Sequence, residues 1–318
     1  MPRLLGKVQG MSDAASRDAA PAEYEGLLSA GVQSIRSRAA VYLSLVRFSH
    51  TIFALPFALA GALLAARDVA VGWGTVVWIL MAMVTARSAA MGFNRLVDAR
   101  FDALNPRTRG REIPRGVVAG REAAGLVFVA SAAFVFSAWR LNPLCLALSP
   151  LALAIVFWYS LAKRYTAWTQ LFLGLAMAVA PVGGWLAVGG REGWEPWLLA
   201  LAIGTWVGGF DVLYACQDVV FDRTHNLRSI PVRFGIPVSL VISRVMHGVA
   251  VACLVALPWV TPLPAFYYAG VSVVAVLLAY EQSLVRVDDL SQVKRAFDLN
   301  GYVGIWYLVV LAVSIYAF

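Results

Sequence analysis

Long runs of apolar residues, separated by short polar segments, dominate the chain from residue 41 onward. Each run is close to the ~20 residues that a helix needs to cross the hydrocarbon core of a bilayer. The runs lack the alternation of apolar and polar residues that marks the strands of a membrane β-barrel. The pattern therefore predicts an all-α polytopic membrane protein with nine transmembrane helices. The predicted spans are residues 41–66, 73–93, 116–138, 141–162, 168–188, 196–216, 237–260, 263–280 and 299–317.

The composition excludes most other classes of protein. Hydrophobic residues make up 60% of the chain and charged residues 14%, and the mean hydropathy is +0.73. Soluble globular proteins are about 45–50% apolar and about 25% charged, so a soluble enzyme and a disordered chain are both excluded. The three cysteines lie inside apolar runs without a CxxC spacing, and there is no HExxH motif. Neither a disulfide nor a histidine-based metal centre is expected.

The distribution of charge predicts the orientation of the chain. Most of the 26 Lys and Arg residues fall in the first forty residues and in alternate connections between spans, which lie on one side of a nine-span protein. The positive-inside rule makes that side cytoplasmic. The net charge of +8 then indicates the topology of the chain and an interaction with anionic lipid, and not binding to nucleic acid. Residues 1–40 are expected to form a polar, mobile cytoplasmic tail, and residues 41–318 the membrane domain.

A first cluster of acidic residues lies at the cytoplasmic end of the second predicted span. It has the pattern Asn94-x3-Asp98-x3-Asp102, and intervals of four place the three side chains on one helix face. Acidic groups are unfavourable at a helix C-terminus, where the helix dipole is negative. A capping role therefore explains this cluster poorly.

A second cluster lies at the cytoplasmic end of the sixth predicted span. Asp211, Tyr214, Asp218 and Asp222 are spaced so that a continuous helix would place them on one face. Asp211 is the deepest of them, and an acid inside a span is functional by default. A polar loop containing Ile-Pro and an arginine follows each cluster. The sequence thus predicts two loosely repeated halves around a central cavity.

The chemistry of these clusters indicates a divalent cation and a phosphate. Several carboxylates on one face repel each other unless a cation lies between them. Mg²⁺ commonly binds a few carboxylates together with the phosphates of a substrate, and neighbouring arginines and lysines bind the remaining phosphate oxygens. The pattern predicts a Mg²⁺-bound diphosphate at the membrane–cytosol boundary, with an apolar tail among the spans. A polyprenyl diphosphate is such a molecule.

These motifs resemble the signatures of the UbiA superfamily of intramembrane aromatic prenyltransferases. Asn94, Asp98 and Asp102 match its first motif, and Asp218 and Asp222 its second. A third family feature is Tyr-x3-Lys, which resembles Tyr159 to Lys163 here, followed by Arg164. The stretches 47–57, 105–108 and 227–235 are similar to the 4-hydroxybenzoate polyprenyltransferase-like branch of the superfamily.

The resemblance implies a Mg²⁺-dependent transfer of a polyprenyl group from an allylic diphosphate to a ring carbon of a 4-hydroxybenzoate-type aromatic acid. Such an enzyme serves ubiquinone or menaquinone biosynthesis, in a bacterial inner membrane with its active site facing the cytoplasm. By this resemblance Mg²⁺ is held by Asp98, Asp102, Asp218 and Asp222. Asp211, Lys163 and Asp218 are the candidate catalytic residues. The candidate substrate-binding residues are Arg47, His50, Asn94, Arg115, Tyr159, Lys163, Arg164, Tyr214 and Arg233.

Several alternatives stay open at this point. Arg47 either binds the carboxylate of the acceptor or extends to the membrane interface. Asp211 either orients or deprotonates the phenol, or shapes the metal site. Asn300 is expected to make a hydrogen bond between helices. A dihydroxynaphthoate or a tetrapyrrole is an alternative acceptor. A transporter is a further alternative, which the crowding of acids at one membrane face disfavours. Prenyl length and oligomeric state are undetermined.

Overall fold

The computed structural model describes residues 38, 40–46, 51–67, 69–190 and 192–317. The chain divides into two units, Met1–Val46 and Arg47–Phe318. In the first unit, the described residues 40–45 are helical. All the elements discussed below belong to the second unit.

The described part of the second unit is built from α-helices and 3₁₀ turns, and no strand occurs among its described residues. The 3₁₀ turns are Cys216–Asp218 and Leu257–Trp259. The helices are α1 (Thr51–Ala65), α2 (Trp73–Leu104), α3 (Gly120–Leu141), α4 (Pro143–Ala162), α5 (Thr169–Val188), α6 (Glu195–Ala215), α7 (Val219–Thr224), α8 (Ile230–Ala256), α9 (Ala265–Leu284) and α10 (Val293–Tyr316).

The helices confirm the prediction of an all-α polytopic membrane protein. Within the described residues, 8 helices are long and apolar enough to cross a membrane. They match the second to the ninth predicted spans. The first predicted span corresponds in part to the 15-residue helix α1, and residues 47–50 lie outside the described part of the chain. The total of nine spans therefore stays a prediction.

Helix α2 continues well beyond the predicted end of its span at residue 93. It runs on to Leu104 and carries the whole first aspartate motif. Asp98 and Asp102 are buried there, with exposed fractions of 3% and 6%. The end predicted from hydropathy came too early, because a helix can continue through polar residues whose side chains face a protein cavity.

The second aspartate motif differs from the predicted continuous helix. Helix α6 ends at Ala215, the 3₁₀ turn Cys216–Asp218 follows, and the short helix α7 begins at Val219. Asp218 lies at this junction with φ −99° and ψ 2°. Asp211 and Tyr214 therefore belong to one helix and Asp222 to the next. The change of helix type turns the chain at the site.

A glycine bends the start of α8. Ser229 caps this helix by accepting a hydrogen bond from the Val232 amide. Gly235 then adopts φ 80° and ψ 163°, a left-handed conformation that side chains with a Cβ rarely adopt. The predicted seventh span began at residue 237, directly after this bend. Hydropathy alone did not include the short segment before it.

Helix α6 lies at the centre of the packing, between α5 and α8. The backbones of α5 and α6 touch, because a Cβ added at Gly174 would lie 2.2 Å from the carbonyl oxygen of Gly204. On α6 itself Trp206 and Phe210 are almost fully buried. Gly204 and Gly208 of α6 therefore serve packing within this chain, against Gly174 and Gln170 of α5.

Candidate active site

Both aspartate motifs line one polar cavity of about 230 Å³. Its walls come from α2, α4, α5, α6, α7 and the connection that follows α2. Residues far apart in the chain are thus brought to one place. The predicted site residues that line it are Asn94, Asp98, Asp102, Tyr159, Lys163, Asp211, Asp218 and Asp222.

Asp98 is the centre of a charged cluster on the α2 wall. Lys163 Nζ donates to Asp98 Oδ2 at 2.7 Å, and Arg164 Nη2 lies 3.7 Å from Asp98 Oδ1. Asn94 Nδ2 also donates to Asp98 Oδ2 at 3.2 Å, and to Ser160 Oγ at 3.4 Å. Asp98 Oδ1 is buried and accepts no hydrogen bond. This carboxylate therefore has an acceptor position available for a cation.

Two arginines after α2 face the cavity and join the two motifs. Arg111 Nη1 donates to both carboxylate oxygens of Asp102 at 2.7 Å. Arg107 forms a forked pair with Asp218, from Nε to Oδ1 at 3.1 Å and from Nη2 to Oδ2 at 2.5 Å. Arg107 Nη1 also donates to the Tyr214 hydroxyl at 3.1 Å.

The charge of Arg107 is held firmly in place. Burial alone would lower the pKa of its guanidinium group. The hydrogen bonds and the negative charge of Asp218 outweigh that effect and leave the pKa above its ordinary value. Arg107 is therefore a permanent cation between the two motifs.

A short asparagine-based turn places these two arginines. The side chain of Asn105 accepts a hydrogen bond from the Arg107 amide at 2.9 Å, as asparagine does in many turns. The Thr108 hydroxyl donates to the Asp102 carbonyl at 3.2 Å. The turn folds the connection back over the cavity. Sequence reasoning did not assign Arg107 or Arg111 to the site, although both lie directly after the first motif.

The other predicted site residues are placed differently. Arg115 is exposed and precedes Gly116, which has φ +72°, and Arg233 is exposed with its guanidinium 5.4 Å from the ring of Phe234. Neither arginine lines the cavity. Both were candidates for binding the substrate, and that role stays a prediction. The basic residues that line the polar cavity are Arg107, Arg111 and Lys163. Arg47 and His50 lie outside the described residues.

The donor set of the cavity fits a divalent cation. Mg²⁺ prefers oxygen ligands, and the five aspartates and Asn94 that line the cavity supply carboxylate and amide oxygens. Among the described residues, no three candidate ligands converge closely enough to hold a metal as they stand. Asp98, Asp102 and Asp218 each pair with a basic side chain in this structure.

A larger apolar cavity of about 720 Å³ adjoins the polar one, and Tyr159 and Leu173 line both. This volume lies within the range of about 300–1,000 Å³ that is usual for ligand sites. Its walls are mainly apolar side chains of α2 to α6, with Ala58 of α1 and Met246 of α8, and they include one arginine, Arg87. Arg87 lies seven residues before Asn94 and therefore on the same face of α2. Sequence reasoning left this arginine unassigned.

The two cavities together suit a ligand with an anionic head and a hydrocarbon tail. Acidic and basic side chains surround the head position, and apolar helices surround the tail. Fold and site therefore define an intramembrane enzyme of the prenyltransferase class. The model of the UbiA prenyltransferase family matches residues 54–311. The chain belongs to this family.

Relatives of similar sequence agree with this membership. A 4-hydroxybenzoate octaprenyltransferase of Vibrio campbellii is 32% identical over 242 residues, which is 76% of this chain and 85% of the relative. The enzyme of the same description in Alkalilimnicola ehrlichii is 32% identical over 272 residues, 85% of this chain and 92% of the relative.

Solved structures share the fold. The apo structure of a UbiA homologue from Aeropyrum pernix K1 has a TM-score of 0.77 at 36% identity, covering 83% of this chain and 98% of that one. A UbiA homologue from Archaeoglobus fulgidus bound to DMAPP and Mg²⁺ has a TM-score of 0.68 at 18% identity. It covers 86% of this chain and 99% of that one.

Proposed function

We propose that this protein transfers a polyprenyl group from an allylic diphosphate to a ring carbon of 4-hydroxybenzoate, in a Mg²⁺-dependent step of quinone biosynthesis. The observation that carries the proposal is the polar cavity, where both aspartate motifs and three basic side chains meet beside the apolar cavity. The relatives described as 4-hydroxybenzoate octaprenyltransferases support the acceptor. The Archaeoglobus fulgidus homologue bound to DMAPP and Mg²⁺ supports the donor and the metal.

Asp98, Asp102, Asp218 and Asp222 would hold Mg²⁺. The metal would supply charge stabilisation to the departing diphosphate. Each basic side chain would then leave its carboxylate and bind a phosphate oxygen. Such contacts are charge-assisted, and arginine makes them with a forked geometry. The basic residues placed for this exchange are Lys163, Arg107 and Arg111.

The apolar cavity would shelter the reacting carbon. The bond between the allylic carbon and the diphosphate oxygen breaks, and the diphosphate leaves with the electron pair. Few water molecules can compete for the allylic cation in a cavity with mainly apolar walls. A ring carbon beside the phenol then attacks the cation, and that carbon loses its proton. Asp211 lines the polar cavity near this position and would orient the phenol or accept the proton.

Arg87 is our candidate for binding the carboxylate of the acceptor. It lines the apolar cavity together with Tyr159, which also lines the polar cavity. The face that it shares with Asn94 and Asp98 leads directly to the reacting groups. A carboxylate bound there would direct the opposite, phenolic end of the ring towards the polar cavity. The acceptor would then be held at both ends.

We propose that the site faces the cytoplasm of a bacterium, from its inner membrane. The named relatives are from bacteria. The connections after α2 and after α6, which frame the polar cavity, lie on the side predicted to be cytoplasmic by its basic residues.

A prenylation assay in nanodiscs tests the proposal. The purified protein is incubated with geranyl diphosphate and 4-hydroxybenzoate, with Mg²⁺ or with EDTA, and the product is identified by mass spectrometry. We expect a C-prenylated acid with Mg²⁺ and none with EDTA. Asp98→Asn and Asp218→Asn should lose at least about 100-fold in rate, because even the partners behind metal ligands cost about 10–100-fold when they are mutated.

Parallel reactions with a dihydroxynaphthoate and with a tetrapyrrole test the alternative acceptors. Product from one of these, with none from 4-hydroxybenzoate, would replace the proposed acceptor and keep the reaction class. A folded protein that binds the diphosphate but prenylates none of the acceptors would contradict the proposed function.

A further inference from the structure

A buried network of polar side chains lies outside the cavity, among α6, α8, α9 and α10. It contacts α6 at Trp206 and Gly209, whereas Asp211 of the same helix lines the cavity. With 3.6 residues per turn, positions two and five residues before Asp211 lie on roughly the opposite face. The network therefore contacts the back of the helix whose front carries the second motif.

The first arm of the network runs from α9 through α10 to α6. Asn300 Nδ2 donates to Glu281 Oε1 at 3.0 Å, and Trp206 Nε1 donates to Asn300 Oδ1 at 2.6 Å. Their exposed fractions are 1% for Glu281, 0% for Asn300 and 2% for Trp206. Asn300 thus makes the interhelical hydrogen bonds that the sequence predicted. Glu281 is a further buried acid that the proposed reaction does not use.

The second arm starts one residue further along α9 and runs through α8. Gln282 Nε2 donates to Ser243 Oγ at 2.7 Å, and Ser243 donates to the Gly209 carbonyl at 2.7 Å. Gln282 Nε2 also lies 3.0 Å from His247 Nδ1. The His247 ring rests against Gly209, since a Cβ at that position would lie 2.5 Å from His247 Cδ2.

Helix α6 needs such support at this place. It contains Gly204, Gly208 and Gly209, and each glycine in a helix costs about 1 kcal/mol relative to alanine. A few residues later the helix ends, and the 3₁₀ turn that leads to Asp218 begins. Local helix propensity therefore holds the acidic end of α6 weakly. Side-chain contacts from neighbouring helices must therefore fix the rotation of α6 about its own axis and its position along that axis.

Buried hydrogen bonds are suited to this task because they are directional. A polar group inside a membrane protein is costly without its partner, so a shift of the four helices that breaks these hydrogen bonds is unfavourable. Phe297 of α10 continues the contact towards the site, with ring centroids 5.4 Å from Phe210 and 4.8 Å from Tyr214. Tyr214 in turn accepts the hydrogen bond of Arg107.

We propose that Glu281 and Gln282 are positioning residues, whose two hydrogen-bonded arms fix the position of α6. In that position the aspartates of α6 and its following turn, Asp211 and Asp218, face those of α2, Asp98 and Asp102. The two motifs then lie close enough to bind one metal–diphosphate group together. This inference rests on the proposed function, because the spacing of the motifs matters only if they bind one group together. Neither residue touches substrate. Both act through the placement of α6.

The test measures metal binding in variants of α9. Glu281→Leu removes the acceptor of the first arm at similar side-chain volume, and Asn300 keeps its hydrogen bonds to the Ala296 and Phe297 carbonyls. Glu281→Gln is the conservative variant that restores an acceptor oxygen. Tyr307→Phe is the matched control, because it removes a buried contact between α9 and α10, to the Tyr267 hydroxyl at 3.4 Å, that does not include α6.

Binding of Mn²⁺ in the presence of inorganic diphosphate is measured by electron paramagnetic resonance, and the Mg²⁺ dependence of prenyl transfer is measured beside it. We expect Glu281→Leu to weaken Mn²⁺ binding about tenfold, the lower end of the effect seen for residues behind metal ligands. The apparent KM for Mg²⁺ should rise by the same factor. Glu281→Gln and Tyr307→Phe should bind Mn²⁺ as the unmodified protein does.

If Glu281→Leu does not fold, Gln282→Leu is used in its place, because it interrupts the second arm alone. We expect Gln282→Leu to weaken Mn²⁺ binding as well. Unchanged Mn²⁺ binding in a folded arm variant would overturn the inference, as would an equal loss in Tyr307→Phe. In both cases transfer by the unmodified protein would leave the proposed function standing. If the unmodified protein neither binds Mn²⁺ with diphosphate nor transfers a prenyl group, both the inference about α6 and the proposed function are contradicted.

Discussion

Asp98, Asp102 and Asp218 each contact a basic side chain, at 2.7, 2.7 and 2.5 Å. These pairs offset the charge of three of the five aspartates that line the cavity, and they reduce the repulsion between neighbouring carboxylates. The cations that stabilise the acids are also the groups that would receive the diphosphate. At the scale of single residues, ligand binding is thus an exchange of partners.

We predict that Arg107→Ala and Arg111→Ala raise the KM for the diphosphate by about tenfold or more. Each variant loses a hydrogen bond between charged groups, which is worth about 1.5–3 kcal/mol. Arg109→Ala is the control, since Arg109 lies in the same connection but is exposed and does not line the cavity. Steady-state kinetics at saturating Mg²⁺ provide the measurement. Equal effects of all three substitutions would indicate general attraction of an anion and no specific contact.

Arg87 leads to a separate prediction about the acceptor. Arg87→Ala should raise the KM for 4-hydroxybenzoate about tenfold or more and leave the KM for geranyl diphosphate within about twofold, because one charge-assisted contact to a carboxylate is lost. Arg87→Lys should recover part of the affinity as a point charge without the forked geometry. Titration of each substrate at saturation of the other separates the two constants. A change confined to the diphosphate would contradict the proposed role.

At the scale of whole helices, glycine determines how closely two helices approach each other. The contact between α5 and α6 depends on Gly174, where a Cβ would overlap the Gly204 carbonyl. It brings α6 against α5, and both helices contribute to the polar cavity. A backbone contact of this kind cannot relax by rotating a side chain. Its effect on stability should therefore be large for a small change.

We predict that Gly174→Ala lowers the free energy of unfolding by about 1–3 kcal/mol, the usual cost of overpacking a core. Gly183→Ala in the same helix is the matched control, because a Cβ there meets nothing within 4 Å and alanine favours the helix. Thermal unfolding of both variants in one detergent gives the comparison. Similar unfolding temperatures would show that α5 and α6 can separate at little cost.

The orientation of the protein in the membrane belongs to the scale of the whole molecule. Connections on the basic side frame the polar cavity, whereas the opposite side carries few basic residues. A diphosphate made in the cytoplasm would reach the site without crossing the bilayer.

Labelling of single cysteines tests this orientation. In a protein whose Cys145, Cys216 and Cys253 are replaced by alanine, Arg109→Cys and Glu192→Cys each introduce one thiol at an exposed position. We predict that a membrane-impermeant maleimide labels Glu192→Cys in intact spheroplasts, and labels Arg109→Cys only after the cells are opened. The reverse pattern would show that the site faces the periplasm.

How much of this molecule is readable from sequence depends on the range of the forces involved. Apolar runs predicted eight of the spans that the structure describes, because the cost of placing polar groups in lipid acts on each segment separately. Asp98, Asp102 and Asp218 were recognised for a similar reason, since their spacing is a local property of the chain. Oxygen ligands at such spacing indicate a metal and a phosphate whatever the packing.

Tertiary structure decided the rest. Arg107 and Arg111 belong to the cavity only because an asparagine-based turn folds back over it, and Arg115, in the same connection, does not reach it. The end of α6 before Asp218, and the two arms that join Glu281 and Gln282 to the back of that helix, depend on contacts among four helices. Hydropathy and motif spacing act along the chain, whereas these contacts join residues that only packing brings together.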